Sequence, residues 1–476
     1  MRMHVWSRPR PLPAALTGAA LLAAALLGYA GMHGSIIVIA GLVALAVVAF
    51  TIADWTMGVP VLLLIGSIDG FLKHYSASPV TFILKDALLA LILLGLLIQL
   101  ALDRAPRPRD VRWRGAIAWS CYVGFMLTQV LHPAFSLTGA IGAFRAHTMF
   151  ALLFVIGAIY FRKRERLGRT ANLVIVICAI CAIGALVQHA MGARWLALSP
   201  GFAKASLHYT TFPSAAARAA GGGDNAIFRM YGTLVDPASL GLAGAYGVLF
   251  GIAGIARLRG FARLLTFLAI SLMGTALLLS QARAAMGGLL LGIVLLTVLM
   301  FVRGATRGYA IAGLLMIVAA IPAGLLLTHG SVADRVFSKD QVAYAQSSRD
   351  ESRDEVLTGA IARPFGHGLG ATGAGGALRD DGTLAVDNVF FANLYETGVV
   401  GLGLFLLVQV TFLGLSIRAA LRSRDVAAQT AFAGIAAGQL ALIVSCWFSQ
   451  GAFDYAPLGQ CFWLFTGAVA RQDAWA

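Results

Sequence analysis

Charge is what this sequence has least of. Asp, Glu, Lys and Arg together make up 12% of its 476 residues, against roughly 25% in a typical soluble domain. With 59% hydrophobic residues and a mean hydropathy of +0.82, that deficit excludes an ordinary water-soluble globule. Cysteine is rare as well: Cys121, Cys178, Cys181, Cys446 and Cys461 all lie inside apolar segments. No disulfide framework is expected. Cys178 and Cys181 form a CxxC in the middle of NLVIVICAICAIGALV, where they read as small packing residues rather than a metal or redox pair. Acidic residues number 21 against 36 basic ones, a net charge of +15. No basic amphipathic helix interleaved with aromatics accompanies that excess, so nucleic acid is not an expected partner. Internal repeats and a separate soluble domain are absent too, and residues 1–476 read as a single integral membrane domain.

What the sequence does have is apolar runs of about 20 residues, the length that carries a helix across a hydrocarbon core about 30 Å thick. About 14 spans are predicted, near 13–30, 35–52, 58–72, 82–101, 115–131, 141–161, 172–190, 231–256, 264–281, 285–302, 308–328, 391–416, 429–449 and 456–470. The third is the shortest. The expected fold class is all-α, a polytopic membrane helix bundle of about 12–14 transmembrane helices. The N-terminal MRMHVWSRPRPLP ahead of the first run has signal-peptide character, but an uncleaved first helix suits a chain with so many later spans. More than half of the Lys and Arg residues fall in alternate short connections, among them RAPRPRDVRWR, RKRERLGR, RLRGFAR and RAALRSR. Positive residues stay on the cytoplasmic side, so the N-terminus is assigned there. Two long polar segments, 191–230 and 329–390, then face outward.

A few charges lie at the outward ends of predicted spans. Arg145 falls in GAFRAHTMFALLF, Arg229 in NAIFRMYGTLVDPASLG, Arg283 in LLLSQARAAMGGLLLG, and Lys85 and Asp86 in TFILKDALLALILL. A charge near the bilayer centre costs roughly 2.5–3.5 kcal/mol, and less near the interface. Any one of these side chains can snorkel to the headgroups, and Lys85 can pair with Asp86. Arg229 and Arg283 converging on one face, beside an elaborate polar loop, point instead to a site. Guanidinium stays charged and offers a planar fork of donors that suits phosphate. The substrate expected is negatively charged and lipid-anchored, such as a lipid diphosphate.

Four blocks carry a resemblance. They are RMYGTLVDPASLG (229–241), LLLSQARAAMGGLLLG (277–292), RDEVLTGAIARPFGHGLG (353–370) and DNVFFANLYETGVVGLGLFL (387–406). In order and spacing they resemble the O-antigen ligase and Wzy-type polymerase superfamily over about 180 residues; the first 200 residues are similar only in being multi-spanning. GHGLG does not follow a predicted strand, so a dinucleotide site is not expected. The resemblance implies a GT-C-like bundle in the bacterial inner membrane, with 191–230 and 329–390 as periplasmic loops and the larger one carrying part of the site. It implies a metal-independent, cofactor-free, inverting glycosyltransferase that takes glycan from an undecaprenyl-diphosphate donor. A polymerase passes that glycan to another lipid-linked repeat unit of O-antigen or exopolysaccharide; a ligase passes it to the lipid A-core. Membrane lipid and other envelope glycan assembly proteins are the implied partners. The ligases of that superfamily commonly have His where this chain has Asp387, so the departure favours a polymerase over a ligase.

The roles follow from that resemblance and from the chemistry. Arg283 and Arg229 bind the donor diphosphate and stabilise charge growing on it as it leaves. Asp387 orients or deprotonates the acceptor hydroxyl; its ordinary pKa, near 3.9, makes it a weak base unless burial raises it. Arg145, His367, Asn388 and Glu396 complete the expected substrate-binding set. His367 is either a second base candidate or a loop histidine bonded to backbone, and Asn388 shapes the loop. Glu396 either pairs with an arginine or caps a helix start. Gly366, Gly368 and Gly370 permit a tight turn; 371–377 is a lid or a linker; Asp380 and Asp381 are not expected to bind metal. The competing class is a lipid-glycan transporter or flippase, which would show related halves, mid-membrane charges and broken helices.

Overall fold

The computed structural model describes residues 48–49, 51–76, 79–102, 113–131, 137–191, 230–302, 307–308, 311, 353–372, 384, 386, 388–448, 453 and 455–474. It is all-helical, without a strand among those residues. The helices in order are α1 (Trp55–Ser67), α2 (Asp69–Ser76), α3 (Pro79–Ala101), α4 (Ala116–Thr128), α5 (Leu137–Thr148), α6 (Leu153–Tyr160), α7 (Arg164–Met191), α8 (Pro237–Ile255), α9 (Gly260–Ser280) and α10 (Arg283–Phe301). Then come α11 (353–362), α12 (Val389–Arg422), α13 (Val426–Cys446) and α14 (Leu458–Ala470). Seven are long and apolar enough to cross a membrane: α3, α7, α8, α9, α10, α12 and α13. The chain is thus a multi-pass membrane protein by its helices. The predicted spans at 13–30, 35–52 and 308–328 lie almost wholly outside the described residues.

Two compact units divide the chain, the first comprising 1–62 and 83–107, the second 63–82 and 108–476. Within the first, helices meet through glycine. A Cβ at Gly58 would come within 2.6 Å of Ile92 Cγ1, and one at Gly95 within 2.8 Å of the Thr51 carbonyl oxygen. Such small-residue faces let apolar helices approach closely where no hydrophobic effect drives them together. Lys85 and Asp86 belong to this unit, with Asp86 buried.

The second unit is built around α8. Of its apolar window 94% is buried, against 33% for α9 and 44% for α10; a helix apolar on every side belongs in an interior. Its glycines admit the neighbours. A Cβ at Gly247 would collide with Met273 Sδ on α9 and Cys178 Cβ on α7, and one at Gly244 would lie 2.8 Å from the Met273 carbonyl oxygen. From α13, Gly438 lies against the Tyr246 ring. Tyr246, Phe250 and Phe465 continue the core, with ring centroids 4.8 and 5.4 Å apart. None of the five cysteines is in a disulfide, and Cys178 packs against α8.

Three predicted spans are interrupted. The span near 58–72 is α1 and α2, broken where the Ser67 carbonyl turns aside to accept from Thr233 Oγ1 (2.5 Å) and Cys181 Sγ (3.4 Å). The span near 141–161 is α5, a 3-10 turn at Met149–Leu152, and α6. There Thr148 Oγ1 donates back to Phe144 O (2.6 Å) and Trp119 Nε1 takes the Ala151 carbonyl (2.8 Å); such back-bonding bends helices. The span near 391–416 lies within α12, which is non-helical at Gly398 (φ 68°, ψ −170°).

One end of the second unit gathers the basic connections. Arg257 donates to Asn172 Oδ1 (3.0 Å) and Thr430 Oγ1 (3.4 Å), and burial pushes its pKa down to about 10. Arg114 pairs with Asp473 at 2.7 Å, and Arg471 Nη1 reaches Ala158 O at 3.4 Å.

Candidate functional site

The opposite end holds Arg283, His367, Asn388 and Glu396 of the residues picked out in the sequence. Residues 230–236 run in from the first long loop and are fixed by their backbone. Gln188 Oε1, on α7, accepts from Tyr231 N (2.8 Å) and Gly232 N (2.7 Å). Gly232 takes φ 60° there, a conformation that favours glycine. Phe71 N on α2 donates to Thr233 O (2.9 Å). Met230 N donates to Leu279 O (3.3 Å), which sets the start of this segment against the α9–α10 turn.

That turn is tight. Gln281 is a buried non-glycine residue at φ 52°, and Arg283 is the first residue of α10. Three helix N-termini meet at this end, and they differ. At α8, Asp236 caps by accepting from Ser239 N (2.9 Å) and Ser239 Oγ (2.6 Å). At α12, Asn388 Oδ1 accepts from Phe390 N (2.8 Å) and Phe391 N (3.2 Å). At α10 there is no side-chain cap, and a half-buried arginine stands in the first turn instead. A helix N-terminus carries positive partial charge, and anionic oxygens are the ligands such a terminus suits.

The C-terminal end of α13 joins this turn to Asn388. Ser445 Oγ donates to Ala284 O (3.0 Å), and Asn388 Nδ2 donates to Trp447 O (2.8 Å). Asn388 therefore has its side-chain oxygen committed to a helix cap and its nitrogen to a neighbouring carbonyl.

Two turns further along α12, the end of the large loop docks on the break at Gly398. The break frees carbonyls, and the loop takes them: His367 N donates to Tyr395 O and Gly368 N to Glu396 O, both at 2.9 Å. In return Val399 N donates to Pro364 O (3.1 Å). Gly366, Gly368 and Gly370 have φ of 86°, 91° and 80°. A Cβ on Gly366 would collide with the Glu396 carbonyl, and one on Gly398 with the Pro364 carbonyl. Only glycine lets these two backbones lie so close. His367 stacks face to face on Tyr395, centroids 4.0 Å apart, with Nδ1 3.1 Å from Tyr395 O.

Glu396 is the buried charge of this junction. It accepts from Thr372 N (2.9 Å) and Thr372 Oγ1 (2.6 Å), and its other oxygen lies 3.1 Å from His147 Nε2. Its partner is thus a histidine of α5 rather than an arginine. Arg145, two residues earlier on α5, is exposed. Residues two apart on a helix point about 200° from each other, so one faces the junction and the other turns away.

Among the site residues expected from sequence, Arg283 and Asn388 are drawn together by α13, and Glu396 and His367 by the helix break. Arg229 and Asp387 lie outside the described residues, as do Asp380, Asp381 and most of 371–377. His147 and Thr372 were missed. The signal for His147 was present, an ionisable residue inside an apolar run, but its partner lies far away in sequence. Also missed was the buried ion pair Lys73–Asp69 (2.6 Å) on α2, beside the 230–236 segment. Among the described residues no group of three or more His, Cys, Asp or Glu could hold a metal ion. No protein-family model matches the chain, and no curated protein is similar to it.

Proposed function

We propose that this chain is an inverting membrane glycosyltransferase of the bacterial inner membrane, acting at the periplasmic face on an undecaprenyl-diphosphate-linked glycan. The reaction is polymerisation of O-antigen or exopolysaccharide repeat units, with transfer to lipid A-core as the alternative outcome of the same chemistry. The acceptor hydroxyl oxygen attacks the anomeric carbon, the bond from that carbon to the diphosphate oxygen breaks, and the hydroxyl proton passes to Asp387. The diphosphate departs with the electron pair, held by Arg283 and Arg229. Arg145 and His367 are the outlying substrate-binding residues, and Asn388 and Glu396 hold the loop in place around them. The observation that carries the reading is the uncapped N-terminus of α10 with Arg283 in its first turn, next to the segment that Arg229 leads into. Phosphoryl oxygens are the ligands such a terminus and guanidinium suit best.

A transporter is the second reading, favoured by one observation: a broken helix beside the buried His147–Glu396 pair. Ionisable residues at helix breaks mark ion-coupled transport when the break is near the bilayer midplane. Residues 399–422 alone are about 36 Å long at 1.5 Å per residue, enough to cross a core of about 30 Å. The break therefore falls at the end of a span, where an interfacial enzyme needs it.

The test is to delete the gene in its host and complement with wild type, Arg283→Lys or Arg283→Ala, profiling envelope glycans and the undecaprenyl-linked pool. Single repeat units without long chains identify a polymerase. Long chains stranded on undecaprenyl diphosphate with bare core identify a ligase. Arg283→Ala is expected to reproduce the deletion; a full glycan profile from a folded, inserted Arg283→Ala protein overturns the assignment.

A further inference from the structure

We propose that α11 is an interfacial helix, lying in the membrane surface with one flank seated in lipid beside α12. Its inner side is accounted for: Val356 and Ala360 are buried in a cluster with Val386, Ala392 and Leu394. Its neighbouring flank is apolar and open. Leu357 is 38% exposed and Ile361 85%, one helical turn apart on the same side, and Phe365 in the following turn is 63% exposed. A loop helix bathed in water would set polar residues there.

What covers this flank is indicated by its continuation. Pro364 O is bonded to Val399 N, which begins the long half of α12. Val399 and Val400 are exposed and apolar, and Leu406, Leu407 and Val410 carry the same exposed surface down that helix. Since α12 is long and apolar enough to cross a membrane, those side chains meet lipid, and the Leu357–Ile361–Phe365 row extends their surface sideways. The charged residues of α11 and its exit, Arg353, Asp354, Glu355 and Arg363, are exposed and confined to the two ends, leaving the middle free of charge. Amphipathic helices of this kind bury their apolar side about 5–10 Å into the headgroup and acyl boundary. The occupant is bilayer lipid. This inference is independent of the glycosyltransferase reading.

The test uses the full chain in nanodiscs whose lipids carry brominated acyl chains. Cys121, the exposed native cysteine, is replaced by Ser, and single cysteines are placed as Ile361→Cys, Phe365→Cys, Val400→Cys and Glu355→Cys, each labelled with an environment-sensitive fluorophore. At 361 and 365 the expected result is quenching equal to that at 400, with a blue-shifted emission, while 355 stays bright. Emission at 361 and 365 as bright as at 355 overturns the proposal. So does a signal at 361 that is shielded only when the protein self-associates, because the occupant is then a second copy.

Discussion

Replacing Glu396 by alanine should undock the 363–372 turn from α12 without unfolding the bundle. The carboxylate is 2% exposed and holds Thr372 by two bonds, at 2.9 and 2.6 Å, with His147 at 3.1 Å on its other side. Removing one member of a buried charged pair costs about 3–5 kcal/mol. His147 carries a charge only when protonated, so the lower end, about 3 kcal/mol, is the working figure. At about 1.4 kcal/mol per factor of ten, the open population of the turn rises about 10²-fold. Glu396→Gln keeps the size and one acceptor and should give a rise of about tenfold, near one ordinary hydrogen bond. The assay is amide hydrogen exchange on the full chain in nanodiscs, read at His367 and Gly368. Their hydrogen bonds go to main-chain oxygens of Tyr395 and Glu396, so the mutation leaves both acceptors in place and reports only on docking. Unchanged exchange at these amides in Glu396→Ala refutes the reasoning. An equal rise across α8 refutes it too, because the junction would then be part of global stability.

Other perturbations separate the remaining contacts. Gly398→Ala meets both a left-handed backbone and the Pro364 carbonyl, and strain of about 1–3 kcal/mol should raise proteolysis within 363–372. Asn388→Ala removes the α12 cap and should lower the thermal transition by the equivalent of about 1 kcal/mol, whereas Asn388→Asp keeps the acceptor and should lower it less. Asn172→Ala strips the half-buried Arg257 of its 3.0 Å acceptor and should destabilise by about 1 kcal/mol, measured as the shift of the same transition.

Hydropathy finds helices by what they bury, so α9, α10, α13 and α14 were legible to within four residues, whereas α7 begins eight residues before the expected 172, α8 six after 231, and α12 runs six past 416. It does not see where a helix stops being one. At Gly398 the sequence offers only Glu396, Thr397 and a glycine at the head of an apolar run, and the freed carbonyls are met by residues some thirty positions earlier in the chain. At Thr148 the interruption comes from a hydroxyl and a tryptophan on another helix. Arg229 itself lies outside the described residues, but that the start of the 230–236 segment comes against the α9–α10 turn was readable, because alternating spans put their ends on one side. His147 was not, because choosing between Arg145 and His147 requires the rotation of α5, and the partner that fixes that rotation is a carboxylate on α12.

The burial of α8 has a temporal side. Its neighbours α7 and α9 flank it in the chain, but α13, which closes over it, begins at residue 426. At roughly 5–20 residues per second of synthesis, some 10–35 seconds pass between the emergence of α8 and that of α13. Through that interval the α8 face of Tyr246, Phe250 and Ala253 that will receive Gly438 and Gly434 of α13 has lipid or a chaperone as its neighbour. Truncations ending before 426 are therefore expected to insert yet to be degraded quickly, with α8 the part first recognised as unfinished.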